Sequence, residues 1–108
     1  MKIYHNTESF KGGWFIGDFP ETAYKTQACE VAFKIHYKDE EWPNHYHKLA
    51  DEINYLLEGS MSINGTLLEA PIVFVIEKHE PSKPVFHTDC KLIVVKIPGA
   101  LHDKYEIN

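Results

Sequence analysis

The sequence predicts an all-β protein, a sandwich or barrel built as a single domain. Three features carry that expectation. Short β-prone segments alternate with turn residues, no stretch has helical periodicity, and an Asn64-Gly65 pair marks a tight hairpin mid-chain. At 108 residues the chain has room for one domain and one core, and its 44% hydrophobic content is that of a globular protein. It contains no internal repeat and no low-complexity segment.

The segments follow in order. From Ala28 to Tyr37, Cys29, Val31, Phe33, Ile35 and Tyr37 alternate with Glu30, Lys34 and His36, the period-two pattern of a strand with one buried face. The polar run Asp39 to Asn44, with Pro43 near its end, reads as a loop. His45 to Leu49 and Glu52 to Leu57 are expected as strands, and Glu58-Gly59-Ser60 turns the chain into Met61 to Ile63. Asn64-Gly65 then joins that strand to Thr66-Leu67-Leu68. Ile72 to Ile76 is a continuous apolar run with β-branched residues, expected as a well-buried strand. A loop with Pro81 and Pro84 precedes the last strong strand, Leu92 to Ile97. Lys2 to Tyr4 and Tyr105 to Ile107 are expected to add edge strands.

Charge and composition restrict the partners. The net charge of −5 argues against nucleic acid, which needs a basic stripe. All eleven cationic residues are lysines, so the bidentate arginine clamp for phosphate or carboxylate is absent, and a phosphorylated or nucleotide-linked substrate is not expected. No apolar run approaches the roughly 20 residues of a membrane helix. The first residues lack the apolar core of a secretion signal, so the expected location is cytoplasmic. There Cys29 and Cys90, which lack CxxC spacing, are expected as buried free thiols.

The chemistry concentrates in His45-Tyr46-His47-Lys48-Leu49-Ala50-Asp51-Glu52. Residues two apart on a strand share a face, so His45 and His47 project together. A short turn then brings Glu52 back opposite them, and two imidazoles with a carboxylate suit Zn, Fe, Mn, Ni or Co. Gly59, seven residues after Glu52, permits the turn that closes the hairpin.

The pattern H-x-H-x4-E-x6-G formed by His45, His47, Glu52 and Gly59 resembles the first motif of the cupins, and Pro43-Asn44 resembles the approach to it. The resemblance extends over the chain as one domain, residues 1–108. It implies a double-stranded β-helix (jelly-roll) barrel holding one divalent transition-metal ion on His45, His47 and Glu52. It also implies a small-molecule ligand, sugar-like or carboxylate, entering from the barrel mouth. Isomerases, lyases and dioxygenases occur among small cupins, as do non-catalytic binding or sensing domains. An epimerase of nucleotide-linked sugars is disfavoured by the missing arginines.

The second half departs from the family pattern, whose second motif (P-x-G-x-x-H) supplies a fourth ligand. Counting back from the final strand puts Ser82 at that histidine's place, whereas His79, Glu80 and His87 are the nearby ligand-capable residues. The expectation is therefore three protein ligands, with His79 facing solvent and Glu77 and Glu80 as solvated loop charges. Tyrosine and glutamate side chains of the barrel are candidates to move protons. His5, His36 and His102 have no spacing partner and are expected at the surface. Trp14, Phe15, Trp42 and Tyr55 are expected in the core or at a dimer contact. A homodimer is expected, with Trp14 or Phe15 near the contact, because the terminal segments leave apolar edges.

Overall fold

The computed structural model describes residues 1–107. Two short 3₁₀ turns, Thr7–Ser9 and Lys11–Gly13, lead into ten strands. These are β1 (Trp14–Ile16), β2 (Glu30–His36), β3 (His45–Tyr46), β4 (Asp51–Glu58), β5 (Ser60–Ile63), β6 (Thr66–Glu69), β7 (Ile72–Ile76), β8 (Pro84–Phe86), β9 (Cys90–Ile97) and β10 (Tyr105–Glu106). All named strand pairs are antiparallel.

One wall is a five-stranded sheet in the order β1-β2-β9-β4-β7, and the facing side comprises the three strands β6-β5-β8 and the pair β10-β3. The crossing of sequence-distant strands, β2 beside β9 and β9 beside β4, closes the sheets over a common interior. Between them pack Leu56, Met61, Leu68, Phe86, Cys90, Leu92 and Val94, all buried. Trp14, Trp42, Ile72 and Phe74 press on that cluster. Leu56 is completely buried and anchors it, so truncating it would cost about 2–5 kcal/mol.

Turn chemistry sets the register locally. Asn64 and Gly65 both have positive φ, as the two-residue hairpin between β5 and β6 requires, and Ile63 faces Thr66 across it. At Gly59 (φ 104°), an added Cβ would lie 2.4 Å from the Asp89 carbonyl oxygen and 2.8 Å from Cys90 Sγ. Only glycine fits there.

Several expectations are corrected. Lys2 to Tyr4 forms no strand, whereas Tyr105–Glu106 does, pairing with His45–Tyr46. The strand expected over His45 to Leu49 stops at Tyr46, because the next residues turn toward β4. Pro84–Phe86 is a further strand, paired with β5.

The largest correction concerns β2. Its alternation is present, but the apolar set Val31, Phe33 and Ile35 points out, while Glu30, Ala32, Lys34 and His36 point in. The interior of this barrel is partly polar because part of it is a pocket. The outer face carries two apolar rows across four strands: Val31–Val95–Ile53–Val75 and Phe33–Ile93–Tyr55–Val73. Ile72 to Ile76 is likewise exposed on alternate residues rather than buried throughout, with Val73 and Val75 on that outer face.

Candidate metal centre

The candidate ligands flank one turn, but the expected antiparallel return of β4 onto β3 does not form: β3 pairs with β10 and β4 with β7 and β9, so the turn crosses from one sheet to the other. His45 lies on β3, His47 just past its end, and Glu52 near the start of β4. Their ligand-capable atoms all lie within 4.8 Å of one another. His47 Nε2 is 3.3 Å from Glu52 Oε2, close to the roughly 3.4 Å that separates two ligands held at about 2.1 Å on a tetrahedral ion.

Both histidines are oriented by backbone carbonyls. His47 Nδ1 donates to the Asp103 carbonyl oxygen at 2.5 Å, and His45 Nδ1 donates to that of Pro43 at 3.1 Å. A carbonyl can only accept, so each Nδ1 carries a proton and Nε2 is the nitrogen left to face a metal; on His47 it meets Glu52 Oε2, and a proton or a metal ion must lie between the two. That is the tautomer a metal ligand needs, and the donor set therefore fits a divalent ion.

The intervening turn is held from a distant part of the chain. The buried Asp103 carboxylate accepts the backbone N–H groups of Lys48, Leu49 and Ala50 at 2.9, 3.0 and 3.0 Å. One residue thus supports both the turn and the ring of His47. Burial opposes ionisation of Asp103, but those three N–H bonds and the charge of His47 outweigh it and hold the carboxyl below its usual range. Burial likewise raises Glu52, yet the His47 hydrogen bond and the charges of His47, Lys96 and His45 prevail and lower it. For His45, burial is the main cause of a lowered value, aided by the charges of Lys104 and His47 against the Pro43 carbonyl and Glu52.

The cluster lines a cavity of about 230 Å³. Trp14, Trp42, Phe74 and Phe86 supply much of its apolar wall, and Lys34, Lys96, Lys104, His36 and Asn54 its other polar groups. His36 is therefore not a surface residue, as its isolation in sequence suggested. Its ring stacks on Phe86 at 4.4 Å, and its Nδ1 donates to Glu40 Oε2, which also accepts the Trp42 indole N–H. Burial works against the Glu40 carboxylate, but the Trp42 and His36 bonds hold its pKa down. Among the described residues no tyrosine lines this cavity and Glu52 is the only glutamate there, so the ionisable groups around the metal ligands are lysines and His36.

Ser82 lies beside His45. It is buried in the cavity wall and exchanges two backbone hydrogen bonds with His45, its N–H donating at 2.7 Å and its carbonyl accepting at 3.1 Å. His79, Glu80 and His87 are exposed and do not line the cavity. His79 makes only a backbone contact to the ligand-bearing turn, to the His47 carbonyl, and His87 Nε2 meets Ser62 Oγ at 2.9 Å. His5 and His102 are exposed, as expected. Cys90 is buried, Cys29 half-buried, and both are free thiols.

The sequence matches no protein-family model and no curated protein. Its fold does match solved structures. An RmlC-like cupin from Ralstonia eutropha aligns with TM-score 0.60 and 15% identity, over 77% of this chain and 58% of its own. A chain from the DMSP lyases RdDddP and RnDddQII aligns with TM-score 0.69 and 15% identity, over 88% of this chain and 51% of its own. KdgF from Halomonas sp. aligns with TM-score 0.59 and 20% identity, over 68% of this chain and 72% of its own. The first two alignments span little more than half of those longer chains. The protein thus has the double-stranded β-helix fold of the cupins. Among the described residues no helix is long and apolar enough to cross a membrane.

Proposed function

We propose that the protein is a metal-dependent small cupin. One divalent transition-metal ion sits on His45, His47 and Glu52 and acts on a small polar metabolite taken up in the adjoining cavity. The observation that carries this reading is the convergence of the three side chains with both Nδ1 atoms held by backbone carbonyls, which turns both Nε2 atoms toward the site. Three protein ligands leave at least one exchangeable position, the property that separates catalytic sites from closed structural ones. When bound, the ion would supply Lewis-acid polarisation of a substrate oxygen. Ionisable groups at the cavity favour an enzyme over a purely binding domain, and a DMSP lyase shares the fold. A cavity of about 230 Å³ suits a metabolite of a few carbons rather than a nucleotide.

The test is a thermal-shift screen of metal-loaded protein against small metabolites, followed by mass spectrometry of incubated hits. The expected result is a hit that stabilises the wild type but not His47→Ala, and that is converted to product. A hit bound by wild type and variant alike would contradict the reading. Binding without conversion would favour the sensing domain.

We also infer a homodimer, with its contact on the outer face of the five-stranded sheet and not at Trp14, whose ring lines the cavity. Phe33, Ile35, Tyr55, Leu57, Val73 and Val75 on that face are each 39–55% exposed. At about 200 Å² for a large side chain, this amounts to roughly 500 Å² of apolar surface, near the upper end for a monomer. A stable interface buries about 800 Å² per partner, so these rows form its core and their polar border its rim. The two central rows carry no charge, so chains of net charge −5 can meet there without opposing like charges.

A further inference from the structure

We propose that the cavity is a carboxylate pocket, in which Lys34, Lys96 and Lys104 provide the positive field and Asn54 donates to an oxygen of the bound anion. This rests on the metal-site reading above and narrows its substrate to small organic acids rather than neutral sugars.

The three lysines come from distant parts of the chain: β2, β9 and the segment just before β10. Strand alternation points Lys34 and Lys96 inward, where solvated lysines would instead point out. Aromatic faces hold their ammonium groups in place. Lys34 Nζ lies 5.0 Å and Lys96 Nζ 5.1 Å from the Trp14 ring, and Lys104 Nζ lies 4.3 Å from that of Trp42.

The protein's own carboxylates do not balance these charges. Among the described residues neither Lys34 nor Lys104 has an ion-pair partner, and Lys96 reaches Glu30 only at 4.0 Å. Glu52, directly across the strands from Lys96, is committed to the histidines. Glu40 is taken up by His36 and Trp42. Burial first, and mutual repulsion second, press the Lys34 and Lys104 ammonium groups toward their neutral forms. A divalent cation on the adjacent ligands would raise the positive potential further.

Asn54 supplies the independent observation. It is 3% exposed, lines the cavity, and its Nδ2 has no hydrogen-bond partner. A buried donor left unpaired is costly, and lysines and indoles can only donate, so they cannot satisfy it. Asn54 lies on the same face of β4 as Glu52, one pleat away. An acid placed beside the metal ligands brings negative charge among the lysines, and a rotation of the Asn54 amide would then offer its unpaired Nδ2 to a carboxylate oxygen. A neutral sugar would satisfy Asn54 but leave the ammonium groups uncompensated.

The experiment is calorimetric titration with malonate, inorganic phosphate and ribose, using protein with and without added zinc. Metal content and melting temperature are measured on every sample. Malonate should bind once per chain, and Lys34→Met and Asn54→Leu should each weaken it by about tenfold while zinc content stays that of the wild type. Because the lysines and Asn54 belong to the protein, malonate should also bind the zinc-free form, more weakly. Malonate binding in a protein that takes up no zinc would support the anion pocket and sink the metal reading. No malonate binding in either form, or unchanged affinity in both folded variants, would overturn the proposal. So would ribose binding as tightly as malonate, or phosphate binding more tightly than malonate.

Discussion

Asp103→Ala should damage both the fold and the metal site, and the size of the effect can be worked from the hydrogen bonds it removes. The side chain accepts three N–H groups at 2.9–3.0 Å, and the Ala50 N–H among them is on a fully buried residue. Lys48 and Leu49 are exposed, so water can replace their partner once the carboxylate is gone. Ala50 has no such recourse. Counting about 1.5–3 kcal/mol for the bond to Ala50 and a smaller loss at the two wet positions gives a total near 2–4 kcal/mol. For a domain of this size that is a fall of at least about 8 °C in melting temperature. The same change loosens the backbone whose carbonyl orients His47, so metal affinity should fall by about 10–100-fold. Asp103→Asn keeps one acceptor oxygen for the Leu49 and Ala50 N–H groups and should lose roughly half as much stability. Urea unfolding of the metal-free protein measures the first effect and competition with a chelating dye the second. Asp103→Ala within about 0.5 kcal/mol of wild type, with unchanged metal affinity, would refute the role assigned to this residue.

Glu52→Gln should weaken metal binding because it removes the only anionic ligand, whereas His79→Ala and His87→Ala should leave metal content at the wild-type level; elemental analysis of the purified variants decides. The Asp103 and Glu40 carboxyls both lie below their ordinary values, so as pH falls the unfolded chain takes up protons before the native one. Their contribution is complete above about pH 4–5 and is lost as pH drops through the native values, which urea unfolding at a series of pH values will register as a steepening decline. Tyr55→Lys, in the middle of the outer sheet face, should convert dimer to monomer in light scattering without lowering metal content; a wild type that is already monomeric at high micromolar concentration would remove the interface.

What the sequence made legible was local. His45, His47 and Glu52 lie within a single turn and its flanks, so strand alternation and one reversal suffice to bring them together. The hairpin at Asn64-Gly65 and the turn at Gly59 were readable for the same reason. Asp103 was not, because it acts on a turn more than fifty residues earlier and no spacing rule spans that distance. The orientation of β2 was misread for a different reason. Alternation reveals that a strand has two faces, but the side that faces inward depends on what the barrel encloses. Here it encloses Lys34 and His36, while Phe33 and Ile35 remain outside, facing an unpaired surface. The absence of arginine did not reveal that lysines from β2, β9 and the segment before β10 meet at the cavity, because that meeting depends on pairings between distant strands.

The most direct test of the central claim is the metal content of protein reloaded with zinc or cobalt and freed of excess ion, measured for the wild type beside a His45→Ala, His47→Ala double variant. The account predicts about one ion per wild-type chain, the complement of a single three-ligand site, and essentially none in the folded double variant. Stoichiometric metal in that variant, or a wild type that binds none after reloading, would contradict it.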